Sequence, residues 1–173
     1  MQNRYDCIMR MIADSKADFI CLQEVNSNFL NLLHQSSKQF QGSDYFMPVT
    51  KMHWYDTLIL SKYPCRFYKK DYEMTGMGRS NLMAVVEFSL PNTQNTFKLA
   101  INCTHLESLN SQTQRITQLQ EIEALNKNMD MSIIAGDFNF SDGWPEDKAL
   151  KNYIDIWKVG KRAFSQWANE EMR

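Results

Sequence analysis

The spacing of apolar residues along the chain alternates between a helical period and short continuous runs. A repeat of roughly 3.6 residues predicts amphipathic helices, and these helices are residues 3–15, 26–40 and 110–127. Short apolar runs bounded by polar or turn-forming residues predict buried strands, and these strands are residues 18–22, 57–61, 81–90, 96–106 and 131–136. Residues 91–95, PNTQN, have the composition of a hairpin turn. Strands and helices mixed in this order predict α/β or α+β layers, with helices outside the sheets.

Composition narrows the class of protein without deciding its chemistry. The chain has 173 residues, of which 43% are hydrophobic and 23% charged, and its formal net charge is −1. These values are ordinary for one folded domain, and they argue against binding nucleic acid through bulk charge, although a local basic groove stays open. The four cysteines are widely spaced without a CxxC pair, which fits neither a zinc site nor a small disulfide framework. No apolar run suits a spanning helix or a signal peptide, so we expect an intracellular protein of the nucleus or cytoplasm, without membrane contact.

Polar residues of a similar kind follow three of the predicted strands. The first strand runs into Gln23 and Glu24, the fourth contains His105 near its end, and the last runs into Asp137 and Asn139. If these strands lie side by side, two carboxylates, an imidazole and a carboxamide meet at one edge of the core. Oxygen ligands of this kind suit a hard cation such as Mg²⁺. The absence of a thiolate pair and of an HExxH sequence argues against zinc.

Each of these residues also has a purely structural interpretation. Glu24 could begin a helix, and His105 could be a satisfied histidine near a strand end. Asp137 and Asn139 could form the turn after Gly136, since both residue types hydrogen-bond to their own backbone. Their recurrence at the ends of apolar strands favours a functional interpretation.

Three motifs occur in a fixed order, each after a predicted strand: LQEV at 22–25, THLES at 104–108 and AGDFN at 135–139. Together they resemble the endonuclease/exonuclease/phosphatase superfamily, and more specifically its tyrosyl-DNA phosphodiesterase 2 branch. The resemblance covers about residue 5 to about residue 160. It implies a four-layer α/β sandwich of the DNase I type, with two β-sheets packed face to face and helices outside. It also implies metal-dependent hydrolysis, in DNA repair, of the bond between a protein tyrosine and a DNA 5′-phosphate at a single-stranded end.

The resemblance implies a role for each residue that matches a motif. Glu24 matches the metal-binding glutamate, and the implied cofactor is Mg²⁺, with Mn²⁺ as a substitute. Asp137 matches the catalytic aspartate that activates the attacking water, and Asn139 matches the asparagine that positions this water and the phosphate. His105 matches a catalytic histidine that contacts the scissile phosphate.

Four further residues lie in or near the motifs, two of them as candidate substrate contacts and two as structural support. Ser108 is a candidate phosphate or DNA-backbone contact, and the start of the next helix is an equally good interpretation. Arg79, in GMGRSNL, is a candidate phosphate contact, and the glycines beside Met77 would let the chain approach a ligand. Glu107 is expected to support the site without being catalytic. Arg115 is expected to form a structural ion pair, with an exposed surface position as the alternative.

Aromatic residues precede the strand at 57–61. His53, Trp54 and Tyr55 could form a stacking platform for single-stranded DNA. At this spacing, however, anchoring a loop in the core is the favoured interpretation.

The sequence departs from the family pattern in three places. The strand with an asparagine that precedes LQE in the family, and the Asp-His pair that follows further strands, are both missing between Met1 and Arg173. We therefore expect one partial domain over residues 1–173, without the first and last strands. Phe140 and Ser141 also stand where the branch has a basic residue.

These departures leave three interpretations open, so whether the chain is itself an active enzyme is undecided at this point. A truncated phosphodiesterase is favoured, because the motif carboxylates are retained. A degenerate member that binds phosphate, DNA or protein without turnover is the second. The third is another branch, such as a nuclease, a sphingomyelinase-like enzyme or an inositol-phosphate phosphatase.

Overall fold

The computed structural model describes residues 2–36, 45–48, 55–91 and 93–160. Two short 3₁₀ helices accompany the main elements, at Asn126–Asn128 and Pro145–Leu150. None of the helices in the described ranges has the length and apolar character needed to cross a membrane. The main elements in chain order are α1 (Gln2–Ser15), β1 (Phe19–Val25), α2 (Ser27–Ser36), β2 (Asp56–Ser61), β3 (Arg66–Asp71), β4 (Ser80–Ser89), β5 (Thr96–His105), α3 (Gln112–Leu125) and β6 (Met131–Asp137).

The chain divides into two compact units, Met1–Asn139 and Phe140–Arg173. The first unit contains all of the named strands and α-helices. In the second unit, the ammonium group of Lys158 pairs with the carboxylates of Asp142, Asp147 and Asp155.

The strands of the first unit form two sheets. β1 and β2 pair antiparallel, and the second sheet has the order β3-β4-β5-β6. In the second sheet β5 and β6 are parallel and the other pairs antiparallel. A parallel pair needs a crossover connection, and α3 lies within it. The register sets His105 of β5 opposite Asp137 of β6, so two motif residues meet at one edge of the sheet.

Successive side chains of β2 point alternately into two separate hydrophobic cores, one on each face of the small sheet. Ile59 faces the second sheet and packs with Leu82 and Ala84 of β4. Its neighbours Leu58 and Leu60 face the other way and pack against α1 and α2. Successive strand residues point to opposite faces, and this arrangement places helices on one side of the small sheet and the large sheet on its other side.

The far face of the large sheet is covered by α3. Met83, Val85 and Ala100 pack there with Leu125 and Met129 from the end of this helix and the turn after it. The layers are therefore α1 with α2, then β1-β2, then β3-β4-β5-β6, then α3. This arrangement confirms the predicted α/β sandwich of two sheets flanked by helices.

β3 is a strand that the sequence pattern did not predict. Its six residues, RFYKKD, carry four charges, and most of them are exposed, because β3 pairs only with β4 in the described sheet. The helix predicted over residues 26–40 is described as α2, Ser27–Ser36, and Phe40 lies outside the described residues.

Candidate active site

The ends of β1 and β5 meet the loop before β4 at an open surface pocket. Three of the predicted site residues line it, namely Glu24, Arg79 and His105. The rest of the lining comes from Tyr55, Asp56, Thr57, Met77, Gly78 and Ser80. The pocket thus brings together Glu24 and His105 from the strand-end pattern, with Arg79 beside them, whereas Asp137 and Asn139 of the same pattern are not among its lining residues.

Glu24 lies at an irregularity of β1, not at the start of a helix. The pairing register with β2 shifts between Leu22 and Val25, and the backbone of Glu24 has a φ of +56°. Such a left-handed conformation costs a non-glycine residue about 1–3 kcal/mol. Bulges re-aim side chains, and the exposed Glu24 carboxylate lines the pocket. The structural alternative for Glu24 is wrong, because α2 begins at Ser27.

The imidazole of His105 is held as a hydrogen-bond donor toward the pocket. Its Nδ1 lies 2.8 Å from Nη1 of Arg79. A guanidinium can only donate, so Nδ1 accepts this hydrogen bond and the proton of the neutral ring is on Nε2. Burial first, and the charge of Arg79 second, lower the pKa of His105, against the opposing effect of Asp137 and Glu24. The ring is therefore neutral near neutral pH, with Nε2–H available to donate.

Asp137 ends β6 and faces this donor. Its Oδ2 lies 3.7 Å from Nε2 of His105, which is longer than a hydrogen bond. Its Oδ1 accepts the backbone N–H of Asn139 at 3.0 Å, and this is the Asx turn expected from the structural interpretation. The turn therefore occupies Oδ1, while Oδ2 faces the ring of His105.

The residues beside Asp137 fix the end of β6 against β5. Asn139 has a φ of +53°, and its Nδ2 donates to the backbone oxygen of Leu106 at 2.9 Å. Gly136 has a φ of +147°, and a Cβ added there would lie 1.9 Å from the backbone oxygen of Thr104. Glycine therefore precedes the carboxylate because no side chain fits between the two strands at this point.

Arg79, one predicted phosphate contact, links the other, Ser108, to His105. Its Nη2 donates to Oγ of Ser108 at 3.2 Å, while Nη1 contacts His105. The backbone N–H of Arg79 in turn donates to Oγ1 of Thr75 at 2.9 Å. Predicted site residues from two separate motifs therefore form one connected group.

A buried polar cluster lies behind this group. The carboxylate of Glu107 is buried and accepts hydrogen bonds from Thr75, Gly76 and Gln118. Arg115 is also buried, and its Nη1 donates to the backbone oxygen of Glu107 at 3.1 Å. The surface interpretation of Arg115 is therefore wrong.

Thr75 and Gln118 are two members of this cluster that the sequence pattern did not predict. A signal for Gln118 exists in α3, where Arg115, Gln118, Leu119 and Ile122 are the buried positions. Two polar residues thus occupy the buried stripe of a helix, and buried polar groups need hydrogen-bond partners. Thr75 carries no comparable signal, because its partner Glu107 is 32 residues away along the chain.

The aromatic residue of the pocket wall is exposed. Tyr55 is 64% exposed, so the prediction that it anchors a loop in the core is wrong. His53 and Trp54 lie outside the described residues. The alternative, that Tyr55 belongs to a stacking platform for single-stranded DNA, stays a prediction.

Solved structures similar to this chain share its fold. Truncated Caenorhabditis elegans TDP2 is 20% identical, with 81% of this chain and 56% of that chain covered and a TM-score of 0.62. TDP2 of D. rerio complexed with single strand DNA product is 24% identical, with coverage of 87% and 57% and a TM-score of 0.61. ANGEL2, a 2′,3′-cyclic phosphatase, is 19% identical, with coverage of 86% and 47% and a TM-score of 0.60. The chain thus spans about half the length of these structures.

The family of the chain follows from a match over almost its whole length. No curated protein matches the sequence. The model of the Endonuclease/Exonuclease/phosphatase family matches residues 1–169, which include every motif residue of the pocket. The chain therefore belongs to the endonuclease/exonuclease/phosphatase family.

Proposed function

We propose that this chain carries the site of a metal-dependent phosphodiesterase that hydrolyses the bond between a tyrosine and a DNA 5′-phosphate. The observation that carries the proposal is the arrangement of Arg79, His105 and Asp137. It sets a neutral imidazole donor, Nε2–H, 3.7 Å from a carboxylate oxygen. Phosphodiester hydrolysis uses both groups, a base for the attacking water and a donor for the charge that builds on the phosphate.

Glu24 is the proposed ligand of a divalent metal ion in this pocket. Mg²⁺ is bound by one or two protein carboxylates and fills its other positions with water and phosphate oxygens. In the described ranges, no three His, Cys, Asp or Glu side chains converge to hold a metal on their own. Glu24 would therefore hold the ion together with water and substrate, with Mn²⁺ as a substitute. A bound ion would neutralise phosphate charge as the new oxygen approaches.

The residues of this chain supply the remaining steps. Oδ2 of Asp137 orients a water molecule and takes its proton while the water oxygen bonds to phosphorus. Nε2–H of His105 donates to a phosphate oxygen on which negative charge builds. The bond from phosphorus to the tyrosine oxygen breaks, the phenolate takes a proton from solvent, and the DNA keeps its 5′-phosphate. Asn139 keeps Asp137 in place through its backbone N–H, and Ser108 offers its hydroxyl to the phosphate.

Two observations support a single-stranded DNA end as the substrate. The pocket has a guanidinium, Arg79, beside the candidate phosphate site and an exposed ring, Tyr55, in its wall. A cation for the backbone and an aromatic surface for a base are the usual elements of single-strand binding. A solved structure with the same fold, D. rerio TDP2, contains a single strand DNA product.

Release of tyrosine from a 5′-phosphotyrosyl oligonucleotide tests the proposal. We expect hydrolysis with Mg²⁺ and none with a chelator. Asp137→Asn keeps the shape of the side chain but removes the base, and should lower kcat by about a hundredfold or more. The matched control is Asp14→Asn, on the exposed face of α1, which should hydrolyse like the unaltered protein.

Other outcomes would assign the chain differently. A folded protein that binds a 5′-phosphorylated oligonucleotide but releases no tyrosine would contradict hydrolysis and indicate a degenerate binding member. Turnover of a 2′,3′-cyclic nucleotide or an inositol phosphate, without turnover of the phosphotyrosyl substrate, would indicate another branch of the family.

A further inference from the structure

We propose that Thr75 and Glu107 are positioning residues, which act through Arg79 to hold His105 and Ser108 as hydrogen-bond donors for the phosphate. The catalytic consequence rests on the proposed function, whereas the positioning itself is a property of the free protein. Both residues lie behind the pocket lining, and neither is expected to touch the substrate.

Glu107 anchors the loop between β3 and β4. A carboxylate removed from water needs several donors. Glu107 receives the hydroxyl of Thr75 on Oε2 and the backbone N–H of Gly76 on Oε1, each at 2.8 Å. Gln118 of α3 adds a third donor at 3.3 Å. An added Cβ at Gly76 would lie 3.2 Å from Oε1, so glycine permits this close approach.

Glu107 also sets the direction of the Thr75 hydroxyl. An ionised carboxylate only accepts hydrogen bonds, so the hydroxyl proton of Thr75 points at Glu107. The lone pairs of Oγ1 are then directed at the loop itself. They accept the backbone N–H of Arg79 at 2.9 Å and that of Met77 at 3.3 Å. Glu107 therefore orients Thr75, and Thr75 holds the backbone from which the Arg79 side chain extends.

The side chain of Arg79 contacts the same chain segment that carries Glu107. Nη1 donates to Nδ1 of His105 at 2.8 Å, and Nη2 donates to Oγ of Ser108 at 3.2 Å. Because Nδ1 accepts, Nε2 carries the ring proton. Because Oγ of Ser108 accepts, its own hydroxyl proton is directed away from Arg79. One guanidinium thus sets the donors of two residues on the phosphate side.

These contacts form a closed ring. It runs from Glu107 to Thr75, from Thr75 to Arg79, and from Arg79 to His105 and Ser108, the near neighbours of Glu107 in the sequence. The bonds to the Glu107 carboxylate and from the Arg79 guanidinium are charge-assisted, and together with the neutral bond from the Arg79 backbone to Thr75 they fix each member more tightly than a single contact would. Losing one link should therefore loosen Arg79 without removing any group that contacts the substrate.

The test compares two substitutions of Thr75 that differ in the hydroxyl. Thr75→Val keeps the shape of the side chain and removes the hydroxyl, whereas Thr75→Ser keeps the hydroxyl. Thr117→Val is the matched control, since it removes a hydroxyl that bonds to Thr113 within α3. Circular dichroism and thermal unfolding check that each variant is folded. Should Thr75→Val unfold, Thr75→Ala replaces it with the same expectation.

Nuclear magnetic resonance of the free protein gives the first measurement. We expect the Nη protons of Arg79 to exchange slowly with water in the unaltered protein and in Thr75→Ser. In Thr75→Val this exchange should be at least about tenfold faster, and the ¹⁵N shift of His105 Nδ1 should move toward that of an acceptor without a partner. Unchanged exchange and an unchanged Nδ1 shift in folded Thr75→Val would overturn the proposal.

Kinetics give the second measurement. Outer residues that orient an active group are expected to change rates by roughly ten- to a hundredfold. Thr75→Val should lower kcat in this range with little change in KM, and Thr75→Ser should restore it. If neither the unaltered protein nor any variant hydrolyses the substrate, the proposed function fails. The nuclear magnetic resonance measurement on the free protein still decides whether Thr75 positions Arg79. Loss of kcat without any change at Arg79 would contradict positioning.

Discussion

The protonation of His105 depends on neighbours that act in opposite directions. Burial and the charge of Arg79 lower its pKa, and the carboxylates of Asp137 and Glu24 raise it. The lowering effects dominate, which is consistent with the proposed role of His105 as a neutral donor from Nε2 that accepts on Nδ1. A protonated ring would present an N–H to the guanidinium and break that contact.

This balance predicts shifts of opposite sign in two variants. A titration of the His105 ring by nuclear magnetic resonance should give a midpoint below the ordinary value of about 6.5. Arg79→Gln removes a cation and should raise the midpoint, whereas Asp137→Asn removes an anion and should lower it further. A midpoint at or above the ordinary value in the unaltered protein would contradict the neutral ring. Shifts of the same sign in both variants would contradict the assigned neighbours.

The lowered pKa of His105 also determines whether the free energy of unfolding rises or falls with pH. The unfolded chain binds the His105 proton at a higher pH than the folded chain does. The contribution of His105 to the free energy of unfolding is therefore fully present above the unfolded pKa, and it is lost as the pH falls through the folded pKa. Thermal unfolding of His105→Gln should show a weaker loss of Tm than the unaltered protein when the pH falls below about 6.5.

The pairing of β5 with β6 depends on Gly136. An added Cβ at this position would lie 1.9 Å from the backbone oxygen of Thr104, in a conformation with φ at +147°. Gly136→Ala must therefore separate the strands or rebuild the backbone before Asp137. We expect a loss of about 3 kcal/mol in the free energy of unfolding, together with reduced activity.

The control for this prediction is Gly160→Ala. Among the residues that the structure describes, an added Cβ at Gly160 meets no atom within 4 Å, and its φ is not in the positive range. Urea unfolding should give a change within about 0.5 kcal/mol for this variant. Equal stabilities of the two variants would show that the close approach of β6 to Thr104 is not required.

The same strands show what a sequence can reveal about such a fold. β5 and β6 were predictable because each is an apolar run, and Glu24 and Asp137 were predictable because polar residues end such runs. β3 was not, because an edge strand with exposed charged residues lacks the pattern of burial. Thr75 was not, because its role depends on a tertiary contact with Glu107, 32 residues away. Patterns along the chain identify what lies at strand ends, while the support behind a site depends on packing.

The spacing between the two sides of the pocket is set by the packing of the two sheets. Ile59 and Cys103, from opposite sheets, belong to one fully buried core. The sulfur of Cys103 also bonds across the sheets, accepting from Nε2 of Gln23 at 3.4 Å and lying 3.5 Å from the backbone oxygen of Leu22. Because these β1 residues directly precede Glu24, the core between the sheets fixes the Glu24 side of the pocket, where we propose the metal ion, relative to His105.

Truncation of this core should therefore weaken both stability and metal binding. Ile59→Ala leaves a cavity between the sheets, and its free energy of unfolding should fall by about 2–5 kcal/mol in urea. Under conditions in which the variant is still folded, Mg²⁺ affinity measured by calorimetry should also fall, since Glu24 is no longer held at one distance from His105. Ile156→Ala, at a residue that is 77% exposed, is the matched control and should change stability by less than about 0.5 kcal/mol. Destabilisation of folded Ile59→Ala with unchanged Mg²⁺ affinity would show that the bulge at Glu24 fixes the carboxylate by itself, independently of the sheet packing.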